Sequence, residues 1–346
     1  MKRLLTFIIF SLFSYNTFAQ ESLYGSLDSV LSQDKPRAFN GVVLISKNGR
    51  EIYKRRQGFS DLEKKTPVRW NDQFMIGSVS KQFTAVLVLR EVQAGRIQLD
   101  RTIGDYLPDF PENWKDSVTV RQLLKHISGI TGWKKPLAAT PGSRFAYSNL
   151  NYNILGQIVA KVSGKSYEGL VTALFRECNM SETMTPEAYK KSRRKSLVKG
   201  YVEQERDKLT EEDRILDMMD LPVMSVPAAG LISTAGDLMK WNYHLHNGKL
   251  LADSLYRMMS VEPVLRSHRW GDVKYGLGIQ VDSLDNIAEL SMNGYVPGFI
   301  TSNIYYPATK TYIVILENIA LDPSDMNRVY YFHDAVRKLI RNTLTK

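Results

Sequence analysis

Two hydrophobic patterns alternate along this chain. Gly41-Val-Val-Leu-Ile-Ser46 and Glu51-Ile-Tyr-Lys54 flank Lys47-Asn-Gly-Arg50. Runs rich in β-formers on either side of Asn-Gly predict a β-hairpin. Phe74-Met-Ile-Gly77 comes next, and Phe83 to Leu89 is almost wholly apolar, closing near Gly95. A continuous apolar run closed by glycine predicts a buried helix. From about 100 to 225 the pattern is mostly helical with loops, clearest at 118–125 and 150–162, the second stopped by Ser163-Gly164. Residues 233–246 predict a further helix, with Gly248 past its end.

From 270 onward the period shifts toward two. Strands are expected at 275–281, 299–306 and 312–316, with Pro307-Ala-Thr-Lys310 turning between the last two. Residues 325–345 then read as an amphipathic helix. Strands at both ends with helices between predict an α+β fold, one sheet domain from residue 20 to 346 split by a helical insertion at about 100–225. No internal repeat or low-complexity segment is visible.

The first residues follow neither pattern. Lys2 and Arg3 precede an apolar stretch from Leu4 to Phe13, and Thr17-Phe-Ala19 places small residues at −3 and −1 of a cleavage site. This is the layout of a secretory signal peptide over 1–19, cleaved after Ala19, and it implies a periplasmic or secreted protein with no stable membrane anchor once cleaved. The apolar stretch is too short to span a bilayer stably. Cys178 is the only cysteine, so no intramolecular disulfide forms, and a chain of 346 residues must rely on its core.

The net charge of +10 at first suggests an anionic partner. Much of it is local, however. Lys190, Lys191, Arg193, Arg194, Lys195 and Lys199 are answered by Glu203, Glu205, Asp207, Glu211, Glu212 and Asp213, with few aromatics interleaved. That pattern reads as a solvated loop with balancing charge blocks and argues against nucleic acid.

Candidate chemistry starts at Ser78-Val-Ser-Lys81. A serine and a lysine three apart at a helix start share one face. If that face is buried, desolvation lowers the lysine pKa and a neutral amine can take the serine proton. Ser32–Lys35, Ser192–Lys195 and Ser196–Lys199 share the spacing, but they sit in polar stretches, whereas Ser78 alone opens an apolar helix. Tyr147-Ser-Asn149 lies between Pro141-Gly142 and a helix. A phenol near a cationic lysine can shuttle protons, and an amide can hold a carbonyl. His126 reads as a packed structural histidine. His244 and His246, two apart, point to different helix faces and do not make a metal site. His268 and His333 stand isolated.

Phe74-Met-Ile-Gly-Ser-Val-Ser-Lys-Gln-Phe-Thr84 resembles the nucleophile segment of the serine β-lactamase and penicillin-binding-protein superfamily, in its class C β-lactamase and esterase branch. Tyr147-Ser-Asn149 resembles that branch's second motif. Further segments are similar in order, at Gly95–Asp100, Leu123–Gly129, Ala229–Asp237 and Tyr275–Gly278. The resemblance covers roughly residues 38 to 340. It implies a β-lactamase-like fold, an antiparallel sheet flanked by helices with a mostly helical inserted subdomain. It also implies a serine hydrolase with Ser78, Lys81 and Tyr147 catalytic, Asn149 orienting substrate, an oxyanion hole at the backbone N–H groups of Ser78 and Tyr295, and no cofactor or metal.

The third motif of the family is a basic residue, then any residue, then glycine. The segment that fits by position is Ser291-Met-Asn-Gly-Tyr-Val-Pro-Gly-Phe299, in which Gly294 matches and Met292 stands where the base belongs. In the family that base helps bind substrate carboxylate and tune the tyrosine, and Met292 can do neither. Losing a charged hydrogen bond costs roughly 1.5–3 kcal/mol. The expectation moves accordingly from β-lactams toward another small-molecule ester, amide or peptide, of peptidoglycan or other origin. The rival readings are a D-alanyl-D-alanine carboxypeptidase or β-lactamase, and a catalytically weak protein that binds peptidoglycan or another envelope ligand.

Overall fold

The computed structural model describes residues 23–219, 225–268 and 271–344. The expected signal peptide over 1–19 lies outside the described residues. A helix at 23–31 (α1) leads into the hairpin of β1 (Gly41–Lys47) and β2 (Arg50–Gln57), turned at Asn48-Gly49, both with positive φ. The main helices are α2 (Ser80–Gln93), α3 (Asn149–Ser163), α4 (Tyr167–Glu177) and α5 (Ala235–His246). Strands β3 (Val264–His268), β4 (Gly271–Tyr275), β5 (Gln280–Asp282), β6 (Glu289–Val296), β7 (Phe299–Tyr306) and β8 (Thr311–Glu317) follow, and α6 (Tyr331–Leu344) ends the described chain. The eight strands form one sheet of order β2-β1-β8-β7-β6-β5-β4-β3, antiparallel at every pairing.

The sheet centre explains why β1, β7 and β8 read as unbroken apolar runs. Each is covered on both faces, so neither alternate set of side chains can be polar. Along β8, Ile313 and Ile315 pack with Phe332, Val336 and Ile340 of α6 and with Leu27 and Leu31 of α1. Val314 and Leu316 point the other way, into the core shared with α2 and α5. There Phe83 of α2 stacks on Trp241 of α5, ring centroids 3.8 Å apart. A buried polar link joins α2 and α5 to β7. Gln82 Oε1 accepts from Trp241 Nε1 at 3.2 Å and from Asn303 Nδ2 at 3.0 Å, and Asn303 and Asn242 exchange amide hydrogen bonds of 2.6 and 2.8 Å.

Three expectations need correction. Residues 275–281 are not one strand. β4 stops at Tyr275 and β5 starts at Gln280, because Gly276-Leu-Gly278 turns tightly. A methyl on Gly276 would fall 1.8 Å from Met259 O, and Gly278 has φ +75°, where an added methyl would fall 2.5 Å from Ala85 Cβ. The terminal helix is broken at Tyr330 between Met326–Val329 and α6. The charged stretch is largely exposed, as expected, but it is not all loop. It holds a helix at Pro186–Lys191 and a hairpin of Gly200–Glu205 and Lys208–Glu212. Some of its charges pair within the stretch, as Lys199 does with Glu211, and others reach outside it, Lys199 to Asp61 and both Glu203 and Asp207 to Arg328.

His333, isolated in sequence, sits in a buried network on the α6 side of the sheet. Its Nε2 donates to Glu317 Oε1 at 2.9 Å and its Nδ1 lies 2.7 Å from Ser302 Oγ. Arg37 grips the same Glu317 carboxylate with two bonds of 2.6 and 2.7 Å. Burial pushes the Glu317 carboxyl up, but Arg37 and His333 together hold it down to about 2. A carboxylate with a depressed pKa contributes stability above its ordinary value of 4.5 and loses it as pH falls toward 2. Breaking a buried pair by removing one partner costs roughly 3–5 kcal/mol. Glu317→Gln is therefore expected to lower the thermal midpoint at pH 7 by roughly 10 °C, with the gap to wild type narrowing below pH 4.5. Melting curves at pH 7 and pH 3 check this, and an equal gap at both would show that the ionised pair is not its source.

Candidate active site

The site is built where the end of a short strand meets a helix. Phe74–Met75 pairs with Ile232–Ser233, and Ile76 N donates to Leu231 O at 2.9 Å. Gly77 then takes φ +52°, and a single turn, Gly77–Val79, leads into α2. Two glycines let this turn lie directly against β6. A methyl on Gly294 would fall 2.1 Å from Ile76 O, and one on Gly77 would fall 3.0 Å from Tyr295 N. β5 pairs with β6 only at residues 289–291, so beyond that point the β6 backbone faces the Ser78 turn. The main chains of Ser78 and Tyr295 are thereby brought side by side.

Lys81 lies one turn into α2 and is fully buried. Its Nζ is 3.2 Å from Ser78 Oγ, 2.7 Å from Asn149 Oδ1 and 2.7 Å from Ala228 O. Burial pushes this lysine well below its ordinary value, and the nearby Arg266 charge adds to the fall. The two carbonyl oxygens pull the other way, but no carboxylate among the described residues is bonded to it. A neutral amine keeps two N–H groups for those carbonyls and turns its lone pair to the Ser78 hydroxyl.

Tyr147 closes the triangle, its hydroxyl donating to Ser78 Oγ at 2.7 Å. Its ring is 41% exposed and opens on the cleft. Crowding around the hydroxyl pushes the phenol up to about 12, while the bond to Ser78 and the Arg266 charge work against the rise. The open ring lets solvent soften the effect. Behind the ring stands His126, fully buried, with centroids 4.3 Å apart and φ +56°. His126 O accepts from Ala146 N at 2.7 Å, and its Nδ1 accepts from Ser148 N at 3.2 Å. It thus fixes the backbone on both sides of Tyr147. Asn149 starts α3 with its side chain turned to Lys81.

The residues expected from sequence therefore fall together at Ser78, Lys81, Tyr147 and Asn149, with Gly294 and Tyr295 backbone alongside. Met292 is also close by but is buried, its sulfur 3.8 Å from Tyr275 Oη, and it brings no charge. The three other Ser-x-x-Lys pairs lie elsewhere. Ser32 Oγ bonds Asp28 O, Lys195 bonds Tyr189 O, and Lys199 is held by carboxylates. His244 and His246 have separate partners, Lys240 O and Tyr256 Oη.

A hydroxyl held between a buried amine and a phenol, at the start of a helix and beside a strand, has its counterpart among known proteins. The beta-lactamase family matches residues 30–337. The chain belongs to the beta-lactamase family. Its members are serine hydrolases. Protein flp of Staphylococcus aureus is 24% identical over 243 residues, covering 62% of this chain and 47% of its own length, so the match spans about half of that relative. In fold, the chain is similar to a penicillin-binding protein from Bacillus halodurans (TM-score 0.75, 24% identity, 90% of this chain and 98% of the other). It is likewise similar to D-amino acid amidase from Ochrobactrum anthropi (TM-score 0.77, 21% identity, 93% and 99%).

Sequence reasoning missed one residue of this beta-lactamase-family site. Arg266 of β3 reaches over the Tyr147 ring, Cζ 5.7 Å from its centroid. Val264-Leu-Arg-Ser-His268 carries no sign of that placement, because only the sheet order brings this strand to the cleft. The glycine contacts give a direct test. Gly294→Ala must push β6 off the Ser78 turn, and overpacking of this kind costs about 1–3 kcal/mol. The reaction of Ser78 with a fluorophosphonate is expected to slow tenfold or more. Gly236→Ala, where the nearest atom is 3.9 Å away, serves as control and keeps the wild-type rate. Equal rates in both variants would show that the close approach is not needed.

Proposed function

We propose that this chain is a serine hydrolase that forms an acyl-enzyme on Ser78 and acts on an ester, amide or peptide bond. The observation that carries this reading is the placement of Ser78 Oγ, 2.7 Å from Tyr147 Oη and 3.2 Å from Lys81 Nζ. In the first step the Lys81 amine takes the Ser78 proton as Oγ bonds to the carbonyl carbon. The oxyanion rests on the N–H groups of Ser78 and Tyr295. When the tetrahedral adduct collapses, the carbonyl–heteroatom bond breaks and Tyr147 passes a proton to the leaving group, replenished from Lys81. Water then attacks the acyl carbon, giving its proton back through Tyr147, and Ser78 is restored. Asn149 holds both Lys81 and the substrate side of the cleft.

The substrate class is narrower than the family's range. Met292 offers no cation to a β-lactam, so simple esters and amides fit the site better. The likeness to an amidase and to a penicillin-binding protein supports an amide or peptide substrate, including one derived from peptidoglycan, as the second reading. Residues 1–19 support export to the periplasm or beyond, and N-terminal sequencing of the exported protein is expected to begin at Gln20.

Wild type is expected to react with a fluorophosphonate and to hydrolyse a nitrophenyl ester, and Ser78→Ala to lose both. Turnover that persists in Ser78→Ala would remove Ser78 as nucleophile, and no reaction in wild type would favour a binding protein. Because the neutral amine is the active form and its pKa is lowered, the labelling rate should rise with pH along a limb well below the ordinary lysine value of 10.5. A limb at the ordinary value would show that Lys81 is not the base.

A further inference from the structure

Three side chains of α2 bond to the main chain of residues 226–231. Lys81 Nζ donates to Ala228 O at 2.7 Å, Thr84 Oγ1 donates to Pro227 O at 2.7 Å, and Ser80 Oγ accepts from Leu231 N at 3.1 Å. The reason lies in that segment itself. Val226–Ala229 is a helix of a single turn. In a longer helix the carbonyls of residues 227 and 228 would accept from the N–H groups of residues 231 and 232. Here Leu231 N goes to Ser80, and Ile232 N goes to Met184 O at 2.9 Å. Pro227 O and Ala228 O are left over in a buried place, and α2 supplies their donors.

The Thr84 hydroxyl is fully buried, so bulk water does not compete for it. Its one proton goes to the Pro227 carbonyl, which can only accept. The Tyr167 hydroxyl, 2.7 Å away at the start of α4, is then the donor to Thr84 Oγ1. A directed chain therefore runs from Tyr167 through Thr84 to Pro227 O, and it fixes a hydroxyl rotor that would otherwise turn. The Pro227 ring is also wedged against α3, where a methyl on Gly156 would fall 2.6 Å from its Cγ.

The next carbonyl along the chain is the one the base depends on. Two N–H groups of a neutral Lys81 amine point to Ala228 O and Asn149 Oδ1, both at 2.7 Å. The remaining tetrahedral direction carries the lone pair toward Ser78 Oγ. A shift of the Ala228 carbonyl would swing that lone pair off the serine. We propose that Thr84 and Tyr167 are positioning residues for the general base, anchoring the Pro227–Ala228 peptide so that Ala228 O aims Lys81 at Ser78. The inference rests on the hydrolase reading above. Both residues act through Ala228 and not on the substrate.

The test follows the rate constant of fluorophosphonate labelling against pH, with reagent in excess, in wild type, Thr84→Val, Thr84→Ser and Tyr167→Phe. Such a rate constant reports the reactivity of each site and not the amount of folded protein. Thr84→Val is expected to lower the plateau roughly 10- to 100-fold, as a misplaced base does. Its limb should also move to lower pH, because an ammonium that loses a carbonyl acceptor gives up its proton more readily. Tyr167→Phe should move both in the same direction, with a smaller loss of roughly 2- to 10-fold. Thr84→Ser keeps the hydroxyl and should stay close to wild type. Tyr147, Tyr152, His126 and Arg266, the titratable and charged groups around Lys81, are unchanged in every variant. A wild-type profile in Thr84→Val or in Tyr167→Phe overturns the proposal. So does a lower plateau with an unmoved limb, or a Thr84→Ser protein as slow as Thr84→Val. If Thr84→Val does not fold, Tyr167→Phe decides. Failure of the hydrolase reading looks different, because wild type and Ser78→Ala are then labelled alike, and the inference falls with it.

Discussion

The site depends on a lysine that is buried and has no counter-ion among the described residues. Lys81 has hydroxyl and carbonyl oxygens around it and no carboxylate from that part of the chain. Taking an ammonium ion out of water without pairing it is costly, so the group gives up its proton more readily. Burial here is what turns an ordinary lysine into a base. The surroundings follow from that constraint. α2 must be apolar almost all round, so that the lysine face is dry. α3 and the Val226–Ala229 segment must each bring one carbonyl oxygen, so that the amine is held without being neutralised by an acid.

The second requirement is that a sheet strand and a helix start come within backbone distance. Gly294 and Gly77 make this possible, since a Cβ on Gly294 would overlap Ile76 O and one on Gly77 would crowd Tyr295 N. The strand can stand there because β5 is only three residues long. Past residue 291, β6 has a neighbour on one side and the Ser78 turn on the other. The sheet is therefore incomplete at the point where it does chemistry. His126 performs a similar service on the opposite wall, holding the loop around Tyr147 through one carbonyl and one ring nitrogen.

Much of this was legible in the sequence, for physical reasons that can be named. Phe83 to Leu89 has no polar face because helices cover it on one side and the sheet on the other, and that makes Ser78 and Lys81 stand out from three pairs with the same spacing. β7 was readable to the residue because it is buried on both faces and ended by a proline turn. What failed depended on distant contacts. Gly276 and Gly278 read as part of a strand because nothing local reveals Met259 and Ala85 beside them. The acidic and basic blocks at 190–213 are mostly solvated, but their ties to Asp61 and Arg328 were hidden because those partners are far away in sequence. Arg266 and His333 were opaque for the same reason.

The buried amides that join α2, α5 and β7 bear on how the chain finds this arrangement. Asn303 can meet Gln82 and Asn242 only if β7 is paired in the observed register with β6 and β8. A slip by one residue would turn Asn303 to the α6 side of the sheet and leave three amide groups unsatisfied among apolar neighbours. β7 and β8 are rich in interchangeable isoleucine, valine and tyrosine, and hydrophobicity alone would discriminate poorly between alignments. The amide cluster acts as a key for strand alignment, rejecting mispaired sheets during folding even where it adds little to the stability of the correct one.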